Sequence, residues 1–388
     1  MATFSRPPFG PDTSGPDIPA SPDLEERLRS VSETLGGALS FARFMEMALY
    51  EPGLGYYERA PGVVGRGGDF ATSVSVGSLF GELVAFWIGH AFGADDPAAS
   101  GPIEIVEVGA HDGRWAADIL TALAESWGDG ADRFRYRIIE PSPVRRRWQQ
   151  ERLARFGDRV RWSDALPAQV RGVILSNELL DAFPVERWRW SAEQRRWVEQ
   201  GVRWRAGRWE WVPMATPSPS DWELPEALQA VLPDGFCRER SPAAVAWWGR
   251  AAEVLQQGCL LTFDYGLDSA EEFLAPNRAH GTLRAYHRHR LSEDPLQRPG
   301  EVDLTSHVDF SAVAEAGERQ GLSTWHRERQ SRFLMRILES TRRPAARFPE
   351  WTPARVRAFQ TLTHPEHFGR SFRVLAQGRG PGPVDPGS

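Results

Sequence analysis

From Ile103 onward the chain alternates short apolar runs with helix-period segments, and this alternation restricts the possible folds more than any other feature. Ile103 to Val108 reads as a strand, followed by a helix through Ile119 and Leu120. Phe134 to Ile139 reads as a second strand, and a second helix begins at Ser142. Gly172 to Ser176 and Gly258 to Phe263 are further short apolar runs. Strands separated by helices predict a parallel sheet covered on both faces, and such sheets hold ligands at the carboxyl ends of their strands. The interval between Ser176 and Gly258 far exceeds the dozen or so residues that a crossover needs. An insertion is therefore expected, over residues 186–257. A helix from Val308 to Gln320, a strand near Leu322 to His326 and a last strand near Phe372 to Leu375 complete the expected sheet domain, residues 102–376.

The flanks read differently. Residues 1–22 and 377–388 have the composition of a disordered arm and tail. Residues 23–101 read as a helical cap, with Phe41, Phe44, Met45, Ala48 and Leu49 on one helical face and a glycine-rich loop from Gly62 to Gly68. Across the 388 residues 46 basic side chains meet 52 acidic ones, so no global positive field draws the chain to nucleic acid or to an anionic bilayer. There is no lysine, and arginine, alanine, glycine and proline are abundant, as in proteins of GC-rich genomes. Two cysteines, Cys237 and Cys259, are too few for a disulfide framework or a structural zinc site. The histidines show no metal-ligand spacing. No apolar run reaches the ~18 residues of a membrane span, and the acidic N-terminus suits neither a signal nor a transit peptide. A cytoplasmic, bacterial protein is the expectation.

The densest chemical signal is Glu107-Val108-Gly109-Ala110-His111-Asp112-Gly113, which follows a strand and opens a helix. Glycine there lets a ligand approach the backbone, and the helix start offers free N–H groups. A dinucleotide turn would need Gly-x-Gly-x-x-Gly, whereas the second and third glycine places hold His111 and Arg114. An adenosine without pyrophosphate suits the turn better. S-Adenosylmethionine (SAM) fits: Glu140, ending the second strand, can take both ribose hydroxyls, the Gly109 to Gly113 turn the methionine part, and Glu107 can favour the positive charge. A plain strand-to-helix turn is the competing reading. The second signal is Ser176 to Val185, at the end of the next central strand. Asn177 offers an amide oxygen to orient a nucleophilic N–H, and Glu178 and Asp181 can hold an amine or guanidinium and take its proton. Alternatively, Asn177 caps a short helix whose start the two acids favour.

Several segments together carry a family resemblance. Gly68-Asp69-Phe70-Ala71-Thr72-Ser73 with Leu79 to Glu82, then Glu107 to Gly113, Glu140 to Ser142, Asn177 to Val185, Phe263 to Gly266, Gly281 to Tyr286 and Asp303 to Phe310 resemble the MidA-type SAM-dependent methyltransferases. The match runs in order through about residues 38–376. It implies an α/β, Rossmann-like, seven-stranded class I methyltransferase sheet with a helical N-terminal region and an inserted substrate-recognition lid. SAM is the implied cofactor. By position, the resemblance puts Gly68, Asp69, Phe70, Thr72 and Ser73 over the cofactor, Gly109, Ala110, His111 and Gly113 in the SAM turn, Glu140, Pro141 and Ser142 at the ribose, and Asp164 near adenine. Asn177, Glu178 and Asp181 fall beside the methyl group. Mitochondrial members are protein arginine methyltransferases that assist assembly of respiratory complex I, which implies a protein substrate; the charge balance and the lack of an apolar span lead to the expectation of no nucleic-acid or membrane partner. A non-catalytic assembly factor and a small-molecule methyltransferase are the alternatives.

Two places depart from the family pattern. Val74 and Ser75 stand where Pro-Glu is usual, and Ala110 and His111 replace the last two residues of Gly-Pro-Gly. The alternation of Arg with Trp between Arg187 and Trp211 suits either single-stranded nucleic acid stacked on aromatics or, preferably, a β-hairpin with a turn at Ala206-Gly207 and one buried face. Thr305 and Ser306 read as caps of the helix that follows His307.

Overall fold

The computed structural model describes residues 22–58, 72–93, 101–287, 290–343 and 346–380. Seven strands make up most of an eight-stranded mixed sheet: β1 (Ile103–Val108), β2 (Phe134–Ile139), β3 (Val160–Ser163), β4 (Val170–Asn177), β5 (Leu255–Leu267), β6 (Ser323–Arg329) and β7 (Phe372–Arg379). Their spatial order is β6-β7-β5-β4-β1-β2-β3, and the two-residue strand Val308–Asp309 pairs alongside the end of β5. β1 to β5 run parallel, whereas β7 lies antiparallel between β5 and β6. The chain winds outward from β1 to β3, then returns to β4 on the other side. The winding therefore reverses between β1 and β4, and a crevice opens at their carboxyl ends.

The sequence of β1, IEIVEV, is buried at five of six positions, as a central strand covered on both faces must be. On one face lie Leu79–Ala91, Arg114–Trp127, Gln330–Thr341 and Pro353–Thr363, whose Phe80, Trp115, Ile119 and Phe333 pack on Phe263 and its neighbours. Leu79–Ala91 is apolar on nearly every side and is buried accordingly. On the other face, Pro242–Val254 and Phe310–Arg319 pack Trp248, Ala251, Phe310 and Val313 against Leu260 and Leu375. Each such side chain fully withdrawn from water contributes about 1.5–3 kcal/mol. Polar groups in this layer are paired: the Trp248 indole donates to Gln377 at 2.7 Å, and Gln377 donates to the Ala314 carbonyl at 2.8 Å.

The helix Pro242–Val254 is thus the crossover between β4 and β5, and the excursion before it ends near Arg240 rather than at residue 257. Within the excursion, Glu186–Ser191, Arg196–Arg205, Arg208–Pro213 and Cys237–Arg240 form an antiparallel sheet, joined at one edge by Leu39–Ser40. Ala206 and Gly207 have φ of 50° and 85°, the left-handed pair that a two-residue hairpin turn requires. Trp188, Trp190, Trp197 and Trp222 bury one another, with ring centroids 5.5 Å apart for Trp190–Trp197 and 5.6 Å for Trp197–Trp222. Buried rings at period two are the signature of the hairpin, and a base-stacking surface would have to expose them.

The helix Phe41–Tyr50, capped by Ser40, buries the apolar face that its spacing predicts against this second sheet and against a three-stranded sheet formed by Arg284–His287, Arg290–Ser292 and Asp303–Thr305. Two further expectations are revised. β7 continues through Arg379, past the expected boundary at residue 376. The helix after His307 begins at Phe310, and its cap is Asp309, which accepts from the Ala312 amide at 3.1 Å. The Ser306 hydroxyl instead meets Thr282 at 3.1 Å.

Candidate active site

The carboxyl ends of β1, β2, β4 and β5 open into a cavity of about 730 Å³. Glu107 to Asp112, Glu140 to Ser142 and Asp164 line one end of it, and Asn177 to Pro184 line the other. Tyr50 and Tyr57 from the N-terminal region, with Tyr286, Asp303 and His307, close the second end. A larger cleft, about 1120 Å³, lies at the opposite end of the sheet among Arg133, Arg137, Arg161 and Arg171. It gathers none of the chemistry found at the carboxyl ends.

The turn after β1 is built on left-handed backbone. Gly109, His111 and Gly113 have φ of 77°, 49° and 79°, and the Gly113 amide closes the turn on the Ala110 carbonyl at 2.7 Å. A Cβ on Gly109 would lie 3.0 Å from the Leu179 side chain, so this residue stays small where two loops touch. Beneath the turn Glu107 is buried and accepts a hydrogen bond from the Tyr136 hydroxyl at 2.6 Å. Burial pushes its carboxyl up to about 8.

Glu140 is also buried, at the tip of β2. One carboxylate oxygen accepts from the Ser142 amide at 3.0 Å and the other from Gln149 Nε2 at 2.9 Å. That same Nε2 donates to the His111 carbonyl at 2.9 Å, and Gln149 Oε1 accepts from the Trp162 indole at 3.0 Å. Burial pushes the Glu140 carboxyl above its ordinary range. Ser142 caps the helix Pro143–Leu153 while lining the cavity, and Asp164 is exposed at the rim, paired with Arg146.

At the other end of the cavity, Asn177 is the last residue of β4 and Glu178 follows with φ of 52°. Glu178 and Asp181 therefore do not share a helical face: Glu178 is left-handed and lies two residues before the short 3₁₀ turn Leu180–Ala182. That turn is capped not by Asn177 but by Asp264, whose Oδ2 accepts from the amides of Leu179, Leu180 and Asp181 at 3.1, 2.7 and 3.4 Å. Asn177 Nδ2 donates to Glu178 at 2.8 Å, leaving its buried Oδ1 without a partner. Burial raises three of these carboxyls, and neighbouring acids add to the rise at Glu178 and Asp181. Burial pushes Glu178 up to about 8 and Asp264 up to about 7; burial, then the charges of Asp264, Glu178 and Asp303, hold Asp181 well above the usual range. Tyr57 donates to Asp303 at 2.8 Å and Tyr50 to the Ala182 carbonyl at 2.9 Å. His307 is held neutral, pushed down to about 4 by burial and by Arg284, Arg278 and Arg373.

Of the residues singled out in the sequence, Thr72, Glu107, Gly109, Ala110, His111, Glu140, Pro141, Ser142, Asp164, Asn177, Glu178 and Asp181 line this one cavity. Gly113 lies behind it as the cap of the helix Arg114–Trp127, packed near Leu153 and Gln149. Ser73 is buried against Gln330, and its amide donates to the Glu178 carboxylate. Gly68, Asp69 and Phe70 lie outside the described residues. Tyr50, Tyr57 and Arg145 carry no signal in the sequence, and Tyr286, Asp264 and Asp303 stand there only as parts of motifs. Among the described residues no cluster of histidine, cysteine, aspartate and glutamate could hold a metal, and no helix is long and apolar enough to cross a membrane.

Residues 83–326, more than half of the chain, match the family of S-adenosyl-L-methionine-dependent methyltransferases. The chain belongs to that family. A crystal structure of a candidate methyl transferase from Burkholderia thailandensis, bound to S-adenosyl-homocysteine, is 33% identical, with a TM-score of 0.81 over 95% of this chain and 97% of that one. Curated relatives include the mitochondrial protein arginine methyltransferase NDUFAF7 of Danio rerio, 26% identical over 373 residues, and its Drosophila melanogaster homolog, 27% identical over 377 residues. Each alignment covers 88% of this chain, with 83% and 81% of the two relatives. The fold is accordingly that of the MidA-type methyltransferases, and the enzyme uses SAM. The cavity suits that cofactor: Glu140 retains unused lone pairs, and the turn after β1 admits close approach at Gly109.

Proposed function

We propose that this methyltransferase transfers a methyl group to a guanidinium nitrogen of an arginine in a partner protein. The observation that carries the reading is the crowd of carboxyls at the acceptor end, Glu178, Asp181, Asp264 and Asp303, beside the rings of Tyr50, Tyr57 and Tyr286. Among the described residues neither Glu178 nor Asp181 forms an ion pair with an arginine of the chain itself. Raised carboxyls that repel one another gain most from a visiting cation, and aromatic faces favour a planar one. The names of the mitochondrial relatives support the same substrate class.

In this reading Glu140 receives the ribose hydroxyls, Pro141, Ser142 and Asp164 border the adenosine, and the Gly109 to Gly113 turn holds the methionine part, with Thr72 closing over it and Ser73 behind, its amide on Glu178. Bound SAM supplies an electrophilic methyl on a sulfonium, whose positive charge the buried Glu107 favours. Asn177 Oδ1 accepts an N–H of the acceptor and turns its nitrogen toward that methyl. Glu178 and Asp181, ionised by the arrival of the cation, hold the guanidinium and take the proton released as the C–N bond forms. Positioning of this kind is worth several kcal/mol of barrier. The free thiols Cys237 and Cys259 fit an enzyme of a reducing cytoplasm, and the excursion sheet beside the cavity fits a lid that reads the partner.

Incubation of the purified enzyme with methyl-labelled SAM and cell extract should label a protein band, and peptide mass spectrometry should place the methyl on arginine. Glu178→Gln should bind S-adenosyl-homocysteine as the wild type does yet lose the label. Label found only on small molecules would refute the substrate class.

A further inference from the structure

We infer that His111 holds the amino end of the cofactor's amino-acid tail, its Nε2 accepting a hydrogen bond from the α-ammonium group. The inference rests on SAM occupying this cavity and adds a named contact to it. His111 is a non-glycine residue at φ 49°, between Gly109 and Gly113, and such backbone persists only where its surroundings impose it. The surroundings here do so at both ends of the residue. Its carbonyl accepts from Gln149, the amide that also holds Glu140. Its Nδ1 faces Asp112 Oδ1 at 3.7 Å, and Asp112 is itself fixed by Arg152 at 2.7 Å and by the Arg114 amide at 3.0 Å.

A carboxylate on the Nδ1 side keeps the proton on Nδ1 and leaves a lone pair on Nε2. That Nε2 is buried and has no partner among the described residues, and His111 is one of the residues that line the cavity. An oriented acceptor without a donor asks for one, and in the tail of the cofactor only the α-ammonium donates. The neighbouring acid points the same way. Asp112 lines the cavity next to His111 and disfavours a second carboxylate there.

Calorimetric titration with three ligands tests the assignment: S-adenosyl-homocysteine; its decarboxylated analogue, which keeps the amine; and 5′-methylthioadenosine, which keeps adenosine and sulfur but has no tail. His111→Ala and His111→Gly are compared with the wild type, the glycine variant because it relieves the left-handed backbone. Both variants should bind the first two ligands about tenfold more weakly, the effect of one hydrogen bond to a charged group. Both should bind methylthioadenosine within about twofold of wild type, which also reports an intact fold. Unchanged affinity for S-adenosyl-homocysteine, or an equal loss for methylthioadenosine, would overturn the proposal. A loss for S-adenosyl-homocysteine that spares the decarboxylated analogue would assign the contact to the tail carboxylate and overturn it too. A wild-type protein that binds none of the three would instead remove the cofactor from this cavity.

Discussion

Replacing Glu140 by alanine should separate the adenosine end of the site from everything else. A carboxylate offers about four lone-pair sites; the Ser142 amide and Gln149 use two of them, at 3.0 and 2.9 Å. Two remain for the two hydroxyls of a ribose. A hydrogen bond to a charged group contributes about 1.5–3 kcal/mol, so the pair amounts to about 3–6 kcal/mol. The raised pKa of Glu140 shows that burial already costs its charged form something, which favours the lower figure, near a hundredfold in affinity. Glu140→Ala should therefore weaken S-adenosyl-homocysteine about a hundredfold by calorimetry, and methylthioadenosine equally, since it retains the ribose. This pattern is the opposite of that expected for His111. Glu140→Gln keeps one oxygen and should lose about tenfold. The alanine variant also strands the Ser142 amide and Gln149, so its melting temperature should fall by a few degrees while it remains folded. A folded Glu140→Ala protein that binds S-adenosyl-homocysteine within about threefold of wild type would refute the ribose assignment and the reasoning from lone pairs together.

Asp264→Asn should cost about 1–3 kcal/mol in urea unfolding, because Oδ2 accepts from the amides of Leu179, Leu180 and Asp181 and Oδ1 from that of Tyr265, and an amide keeps only one of the two oxygens. Stability equal to wild type would show that the turn holds without it. The folded-state carboxyls of Glu107 and Glu178 are raised from 4.5 to about 8. Their contribution to stability is thus fully present below pH 4.5 and is lost as pH rises through about 8, at up to ~1.4 kcal/mol per pH unit for each group. Glu107→Gln should flatten that decline in denaturant melts at pH 5, 7 and 9, and parallel pH profiles for the two proteins would contradict the burial argument.

The cofactor end was legible because its residues sit where an apolar run stops. Glu140 follows Ile139 directly, and Gly109 follows Val108, so strand ends could be counted off the sequence. The hairpin was legible from the period of its tryptophans. The acceptor end was much less so. Tyr57 bonds Asp303 across 246 positions, and Asp264 caps a turn more than eighty positions earlier. Neither partner carries a local pattern that announces the other. Thr305 and Ser306 looked like helix caps because hydroxyls usually serve that purpose, yet the Ser306 amide is bonded to the Asp181 carbonyl at 2.9 Å and its hydroxyl meets Thr282. The helix Pro242–Val254 was assigned to the insertion because the long gap hid where the excursion returned to the sheet. The helix Gln330–Thr341, with Phe333, Leu334 and Ile337 on one stripe, carried a readable period that went unused.

In the proposed arrangement, the close approach of Gly109 and Leu179 gauges the span that the methyl would cross. The turn after β1 and the loop after β4 come from different strands, and they meet where glycine carries only a hydrogen: a Cβ there would lie 3.0 Å from Leu179 Cδ1. An alanine at Gly109 would act as a thin shim against a side-chain tip. Displacement of about 1 Å between reacting atoms can cost about a hundredfold in rate; the tip has to yield by less than that, so one methyl group added to the wall of the enzyme would slow another in crossing the gap rather than stop it.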